Sequence, residues 1–321
     1  MLRTCFRVLL FGFRDIITFI YISRGEYMKK VIFKGCGTAL VTPFTNDGVN
    51  FEELRKLIEF QILEGADSLI ICGTTGESST MSLEEKKAVI EFSIKIANKR
   101  IPIIAGTGGN NTKDVISLSK YAESVGADGI LLVTPYYNKT TQAGLIAHYT
   151  AIAESVDIPI VLYNVPSRTG INIEPATCLE LSKVPNIVAI KEASGNISQV
   201  AKIAQLCSDE LSIYSGNDDQ IVPILSLGGL GVISVLSNIY PKFVHDMVMD
   251  YLSGNWQKAC ASQLYSLPLT NALFSEVNPI PVKYAMKKIG FDCGEPRLPL
   301  VELSDTNKVK IDKALKNFEL A

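Results

Sequence analysis

The chain has 321 residues, 47% of them hydrophobic and 20% charged, with a formal net charge of -2. This is the composition of a globular protein with an ample core, long enough for two average domains or for one α/β barrel with an appendage. The balance of charge leaves no basic footprint for nucleic acid. Seven cysteines are scattered without a CxxC pair, so reduced thiols in a cytoplasmic protein are expected. The two histidines, His148 and His245, are far apart and each sits in a helix-like pattern. That argues against a His-based zinc site or a Ser-His-Asp triad.

Residues 1–27 do not match the rest. Their apolar stretch, 8–22, is interrupted by Arg14-Asp15 and is too short and too charged to span a bilayer. No small-residue cleavage site follows it. Met28-Lys29-Lys30 looks like a natural start, and Arg24-Gly25-Glu26 can be encoded by a purine run resembling a ribosome-binding site. Residues 1–27 are therefore expected to be a non-native or disordered extension, which the intact mass of the natively expressed protein would test.

From residue 28 onward, strand and helix alternate. Strands are predicted at 37–42, 68–71, 103–106, 129–133, 160–163, 187–191, 211–214 and 231–235. The helices between and after them are predicted at 51–63, from 82 onward, and at 112–125, 142–155, 174–182, 198–207, 219–227 and 241–252. Phe51, Leu54, Leu57, Ile58 and Ile62 fall at helical spacing, and Ser82 with Glu85 forms a capping box. Eight such units with short loops predict a (β/α)8 TIM barrel over 28–252. A doubly wound sheet is the other architecture considered, but no Gly-rich dinucleotide loop follows the first strand. Further helices at 256–274, 281–289 and 305–318 make 253–321 a C-terminal helical appendage.

The chain is organised around Ile187-Val188-Ala189-Ile190-Lys191-Glu192. Four apolar residues read as a strand buried on both faces, and the run stops at a lysine. An amine at the rim of a core is desolvated, which favours a nucleophile able to condense with a ketone. Alone, the pattern fits better a surface lysine just past a strand and paired with Glu192, since structural ion pairs are the commoner cause of such patterns. The other strand ends change that balance, because in such barrels they build the active site.

The second strand is followed by Gly73-Thr74-Thr75-Gly76-Glu77-Ser78, whose glycines let amides and hydroxyls converge on an anion. A carboxylate fits better than a phosphate, since no P-loop lysine follows. The fourth strand leads to Thr134-Pro135-Tyr136-Tyr137-Asn138, and the fifth ends on Tyr163, just before Arg168. The seventh leads to Gly216, and the eighth holds Ile233. These residues form a chemical set. Lys191 attacks a 2-oxo acid, the Thr74-Thr75 turn holds its carboxylate, and Tyr163 moves protons with Thr75 and Tyr137 as a relay to solvent. Arg168 offers its fork to a second carboxylate.

Four motifs carry a family resemblance: Gly73-Thr74-Thr75-Gly76-Glu77-Ser78, Pro135-Tyr136-Tyr137-Asn138, the run from Tyr163 to Gly170, and Ile190-Lys191-Glu192-Ala193. Asn278-Pro279-Ile280-Pro281-Val282-Lys283 adds to them. From about residue 35 to 299 the chain resembles the 4-hydroxy-tetrahydrodipicolinate synthase (dihydrodipicolinate synthase) family. That family lies in the pyruvate-dependent class I aldolase superfamily, together with N-acetylneuraminate lyase. The resemblance implies a lyase of diaminopimelate and lysine biosynthesis that condenses pyruvate with L-aspartate 4-semialdehyde without a metal or organic cofactor. It implies Lys191 as the Schiff-base residue and Tyr163 as general acid/base, with Thr74 or Thr75 and Tyr137 completing the relay. Gly216 and Ile233 would line the pyruvate side, and Arg168 would bind the semialdehyde carboxylate.

The resemblance further implies that Tyr137 reaches a neighbouring subunit's site within a homotetramer built from tight dimers. It also implies a place for a lysine-binding allosteric pocket around Ser78, Ser79, Leu83, Lys86, Asn110, Asp114 and Tyr136. Lysine-sensitive members usually have histidines where this chain has Leu83 and Lys86, and glutamate where it has Asp114. Lys86 would repel the ligand's ammonium, so weak or absent lysine inhibition is expected. The alternatives are another superfamily lyase, such as N-acetylneuraminate lyase or a 2-keto-3-deoxy sugar acid aldolase, and a non-catalytic barrel acting as a binding protein. Arg168 disfavours the sugar substrates, and the complete set of roles disfavours the idle barrel.

Overall fold

The computed structural model describes residues 29–319, so the expected extension over residues 1–27 lies outside the described residues. Eight parallel strands close into a barrel: β1 Gly35–Ala39, β2 Ser68–Ile71, β3 Ile103–Gly106, β4 Gly129–Val133, β5 Ile160–Asn164, β6 Ile187–Glu192, β7 Ser212–Ser215 and β8 Gly231–Ser234. Each pairs with its sequence neighbours, and β1 pairs with β8 to close the ring. The expected (β/α)8 TIM barrel is the observed fold. The first strand begins two residues earlier than its apolar run suggests, because Gly35 and Cys36 pair with Gly231 and Val232.

The barrel helices are α1 Phe51–Leu63, α2 Leu83–Ala97, α3 Thr112–Ser124, α4 Gln142–Ala153, α5 Pro175–Ser182, α6 Ile197–Cys207, α7 Ile221–Leu225 and α8 Pro241–Leu252. Local chemistry sets many of their starts. Asn50, Asn111, Thr141 and Asn196 cap α1, α3, α4 and α6 through their side chains. Ser82 and Glu85 make the reciprocal capping box of α2. The α7 segment is shorter than its apolar pattern suggests, because a 3-10 turn, Asp218–Gln220, takes its first residues. Three C-terminal helices follow: α9 Trp256–Leu273, α10 Ile280–Lys288 and α11 Asp305–Glu319.

Two apolar layers result. Helix-facing side chains such as Leu57, Ile90, Leu132, Leu162 and Ile190 form the larger core between strands and helices. Inside the ring each strand sends residues inward: Ala39, Ile70, Ile104, Leu131, Val161, Ala189, Tyr214 and Ile233 belong to one buried cluster. This is the filled lumen expected of an eight-stranded barrel. Phe33 closes its lower end: its ring stacks on Tyr214 at 4.4 Å, and the Tyr214 hydroxyl donates to the Phe33 carbonyl at 2.6 Å. The lumen is thus packed below the upper strand ends.

Candidate active site

β5 and β6 pair with Tyr163 opposite Lys191 and Asn164 opposite Glu192. Side chains alternate along a strand, so Tyr163 and Lys191 share the lumen face while Asn164 and Glu192 turn toward the helices. Lys191 is 5% exposed, and its Nζ lies 4.4 Å from the Tyr163 ring centroid. Glu192 is occupied elsewhere. Its carboxylate accepts from Asn164 Nδ2 at 3.0 Å, Gln199 Nε2 at 3.1 Å and the Ser194 backbone N–H at 2.7 Å. Lys191 is therefore neither a surface residue nor the partner of Glu192. A buried amine beside a phenol is equipped for carbonyl chemistry: the amine can attack, and the phenol can move the protons.

The turn after β2 is fixed by its own backbone and by distant residues. The Gly76 N–H donates to the Gly73 carbonyl and the Glu77 N–H to the Thr74 carbonyl, both at 3.1 Å. Gly76 packs closely: a Cβ there would lie 3.1 Å from Thr42 Oγ1 and 3.2 Å from the Leu40 carbonyl, tight enough that these neighbours would have to give way slightly. Glu77 holds a left-handed φ of 53°, and its carboxylate meets Lys283 Nζ at 2.6 Å with both side chains almost fully buried. The Arg297 backbone N–H also donates to Glu77, at 2.9 Å. Burial pulls the Lys283 ammonium below the ordinary lysine range, and the Glu77 charge opposes that pull.

Thr75 is buried and Thr74 half-buried. Asn278, between α9 and α10, donates from Nδ2 to Thr75 Oγ1 at 3.0 Å. Its backbone carbonyl accepts from Arg168 Nη2 at 3.3 Å. Arg168 is exposed and lies in a single helical turn, Pro166–Thr169, directly after β5. Gly216 follows β7. Its N–H donates to the Glu192 carbonyl at 2.8 Å, and a Cβ there would come within 2.6 Å of Ala193 Cβ, so only glycine lets these two strand ends approach. Ile233 sits inside the barrel on β8, in register with Gly37. Beneath this rim, burial pushes the Asp218 carboxyl above the usual aspartate range. Hydrogen bonds from Ser234, Leu236 and Val235 oppose that shift and tie the β7 end to the β8 end.

The structure thus brings Lys191 and Tyr163 together and links Thr75 to Arg168 through Asn278. The Thr75 hydroxyl accepts from Asn278, a residue that the sequence analysis assigns no part in the site. Tyr137 stands apart, with its side chain 94% exposed and its backbone at a φ of 66°. A bulky residue rarely adopts that conformation, and such strain persists only where the surroundings impose it. Here Asn138 Nδ2 donates to the Asn110 carbonyl at 2.9 Å and Asn110 Nδ2 to the Tyr136 carbonyl at 3.3 Å. Asn278 and the Glu77–Lys283 pair have no role that spacing alone reveals. The only local signal is the rigid Asn-Pro-Ile-Pro segment between two helices.

Leu83, Lys86, Asn110, Asp114 and Tyr136 line one cavity of about 360 Å³, with Ser78 and Ser79 outside its lining. Among the described residues, no group of three or more His, Cys, Asp or Glu side chains is placed to hold a metal ion, and no helix is long and apolar enough to cross a membrane.

The fold is a (β/α)8 barrel that sets Lys191 and Tyr163 side by side at its C-terminal strand ends. The chain belongs to the dihydrodipicolinate synthetase family, whose model matches residues 32–318. It is 60% identical over 285 residues to the 4-hydroxy-tetrahydrodipicolinate synthase of Clostridium perfringens (strain SM101 / Type A), which covers 89% of this chain and 98% of that protein. The crystal structure of dihydrodipicolinate synthase from Aquifex aeolicus superposes with a TM-score of 0.88 at 44% identity, covering 90% of this chain and 99% of that one. The structure of the enzyme from Cyanidioschyzon merolae with lysine bound also gives a TM-score of 0.88, at 38% identity over 91% of this chain and all of that one.

Proposed function

We propose that this chain is a lyase that condenses pyruvate, held as a Schiff base on Lys191, with L-aspartate 4-semialdehyde in diaminopimelate and lysine biosynthesis. The observation that carries the reading is the register pairing of Tyr163 with Lys191, which sets a phenol beside a buried amine. The Lys191 amine adds to the C2 carbonyl of pyruvate. Protonation of the resulting carbinolamine hydroxyl by Tyr163 lets water leave and gives the imine. Loss of a C3 proton makes the enamine, whose C3 attacks the semialdehyde carbonyl. The amino group of the second substrate then closes the ring on C2 and releases Lys191. Thr74 and Thr75 hold the pyruvate carboxylate, Gly216 and Ile233 line its other side, and Arg168 takes the carboxylate of the second substrate. No step calls for a metal or organic cofactor.

The strained, exposed Tyr137 supports assembly: a phenol held outward at conformational cost suits a site on a second copy. A cytoplasmic homotetramer built from tight dimers is the state we assign, with Tyr137 completing the relay of the neighbouring site.

The test compares kcat/KM for condensation of pyruvate with L-aspartate 4-semialdehyde against cleavage of N-acetylneuraminate, with Lys191→Ala as the blank. Dominant condensation, abolished in the variant, is the expected result. Dominant cleavage would keep the imine chemistry and overturn the reading of Arg168. Equal rates in variant and wild type would remove Lys191 from the chemistry.

A further inference from the structure

Asn164 and Glu192 end the two strands whose lumen faces carry Tyr163 and Lys191, and they point the other way, into a buried polar cluster. Asn164 is fully buried and Glu192 is 1% exposed. The Glu192 carboxylate accepts from Asn164 Nδ2 at 3.0 Å, Gln199 Nε2 at 3.1 Å and the Ser194 N–H at 2.7 Å. All of these donors are neutral. A buried carboxylate without a counter-charge is costly unless donors surround it. Here donors do surround it, and two of them lead to the loop that carries Arg168.

That loop leaves β5 after Asn164, passes through the turn Pro166–Thr169 and returns at Asn172 and Ile173. Asn164 clamps its two ends. Its Oδ1 accepts from the Ile173 N–H at 2.9 Å, and its Nδ2 donates to Asn172 Oδ1 at 2.8 Å as well as to Glu192. Gln199, on α6, completes the ring. Its Nε2 donates to Asn172 Oδ1 at 3.1 Å, and its Oε1 accepts from Asn172 Nδ2 at 2.7 Å. Two groups that cannot be turned over set every amide orientation. The Ile173 N–H can only donate, which fixes Asn164. The Glu192 carboxylate can only accept, which fixes Gln199 and through it Asn172. A glutamine at 192 would set an N–H against donors already there.

Arg168 has little else to hold it. Among the described residues its guanidinium makes one hydrogen bond, at 3.3 Å to the Asn278 carbonyl. The loop backbone therefore sets where the fork points. Building on the reading of Arg168 above, we infer that Glu192 and Asn172 are positioning residues for the second substrate. Glu192, through Asn164 and Gln199, holds Asn172, and Asn172 holds the loop that aims Arg168. One strand pair thus carries the reacting groups on its lumen face and the support for the second carboxylate site on its helix face. A fork set in place beforehand spares the complex the entropy of ordering it.

The test removes the clamp at Asn172, which is only half-buried. Asn172→Ala should raise KM for L-aspartate 4-semialdehyde roughly 5- to 10-fold, while kcat and KM for pyruvate stay within about 2-fold of wild type. Pyruvate with borohydride should add the same mass to this variant as to wild type, because Lys191 is untouched. A cycle with Arg168→Lys separates aiming from general loosening. With the fork gone, adding Asn172→Ala should raise KM for the semialdehyde by less than about 2-fold more. Equal rises for both substrates, a fall in kcat alone, or full additivity in the cycle would each overturn the positioning role. So would an unchanged KM in Asn172→Ala beside a raised one in Arg168→Lys. An unchanged KM in Arg168→Lys itself would overturn the reading of Arg168, and the proposal with it.

Discussion

Tyr163 and Lys191 are register partners on adjacent parallel strands, with the lysine Nζ 4.4 Å from the centre of the tyrosine ring. Strand pairing sets their backbones side by side and the packed lumen buries both side chains, so their proximity is built into the barrel rather than into a flexible loop. Removing either reactive group should therefore change chemistry far more than stability.

Tyr163→Phe keeps the ring in the lumen cluster and deletes the hydroxyl. It should lower kcat roughly 100-fold or more through lost proton transfer, with a melting temperature close to wild type. Steady-state kinetics beside thermal melts check this, and a large loss of stability with normal kcat would contradict it.

Arg168 meets Asn278 through one nitrogen and is otherwise exposed. Replacement by lysine keeps a charge and loses the fork. A charge-assisted hydrogen bond contributes ~1.5–3 kcal/mol. Arg168→Lys should accordingly raise KM for L-aspartate 4-semialdehyde roughly 10-fold or more, with KM for pyruvate unchanged. Equal increases for both substrates would place Arg168 elsewhere in the reaction.

The Glu77–Lys283 pair is buried on both sides. Lys283→Met leaves the Glu77 carboxylate in the core with the Arg297 N–H but no counter-charge, and should cost ~3–5 kcal/mol in urea unfolding. Lys283→Met combined with Glu77→Gln should regain much of that loss. A double variant no more stable than Lys283→Met alone would mean the two side chains act independently.

His148 donates or accepts at Thr112 Oγ1 over 2.9 Å, and burial holds its pKa below the ordinary histidine value. The folded chain therefore stays neutral at His148 while the unfolded chain takes up a proton near pH ~6.5. The unfolded state binds more protons in that window, so stability is full above it and falls as pH drops through it, by up to ~1.4 kcal/mol per pH unit. His148→Gln should flatten this acid-side loss in melts between pH 7 and the folded-state pKa. An unchanged slope would assign the loss to other groups.

The cavity lined by Leu83, Lys86, Asn110, Asp114 and Tyr136 carries a cation where a bound lysine would bring its own. Lysine at ~1 mM should leave condensation largely uninhibited, and Lys86→His should increase the response. Strong inhibition of the wild-type protein well below that concentration would refute the argument.

Alternating apolar runs and helix caps act over a few residues, which is why most strands and helices, the Ser82–Glu85 box and the buried run ending at Lys191 can be read directly from the sequence. The same short range explains where reading stops. Periodicity ends Lys191 at the rim of a core, but it cannot tell whether Glu192 is its partner; only the strand pairing turns Glu192 toward Asn164 and Gln199. Thr75 and Asn278 are 203 positions apart, and Glu77 meets Lys283 from an equally remote segment. No local propensity links such pairs. They are brought together only when the barrel closes and the C-terminal helices fold across its mouth. The sequence by itself determined the barrel and the buried strand that carries Lys191, because both follow from local pattern. The tertiary structure decided which distant side chains hold the turn after β2, Asn278 on Thr75 and Lys283 on Glu77, because burial and hydrogen bonding there depend on closure of the whole ring.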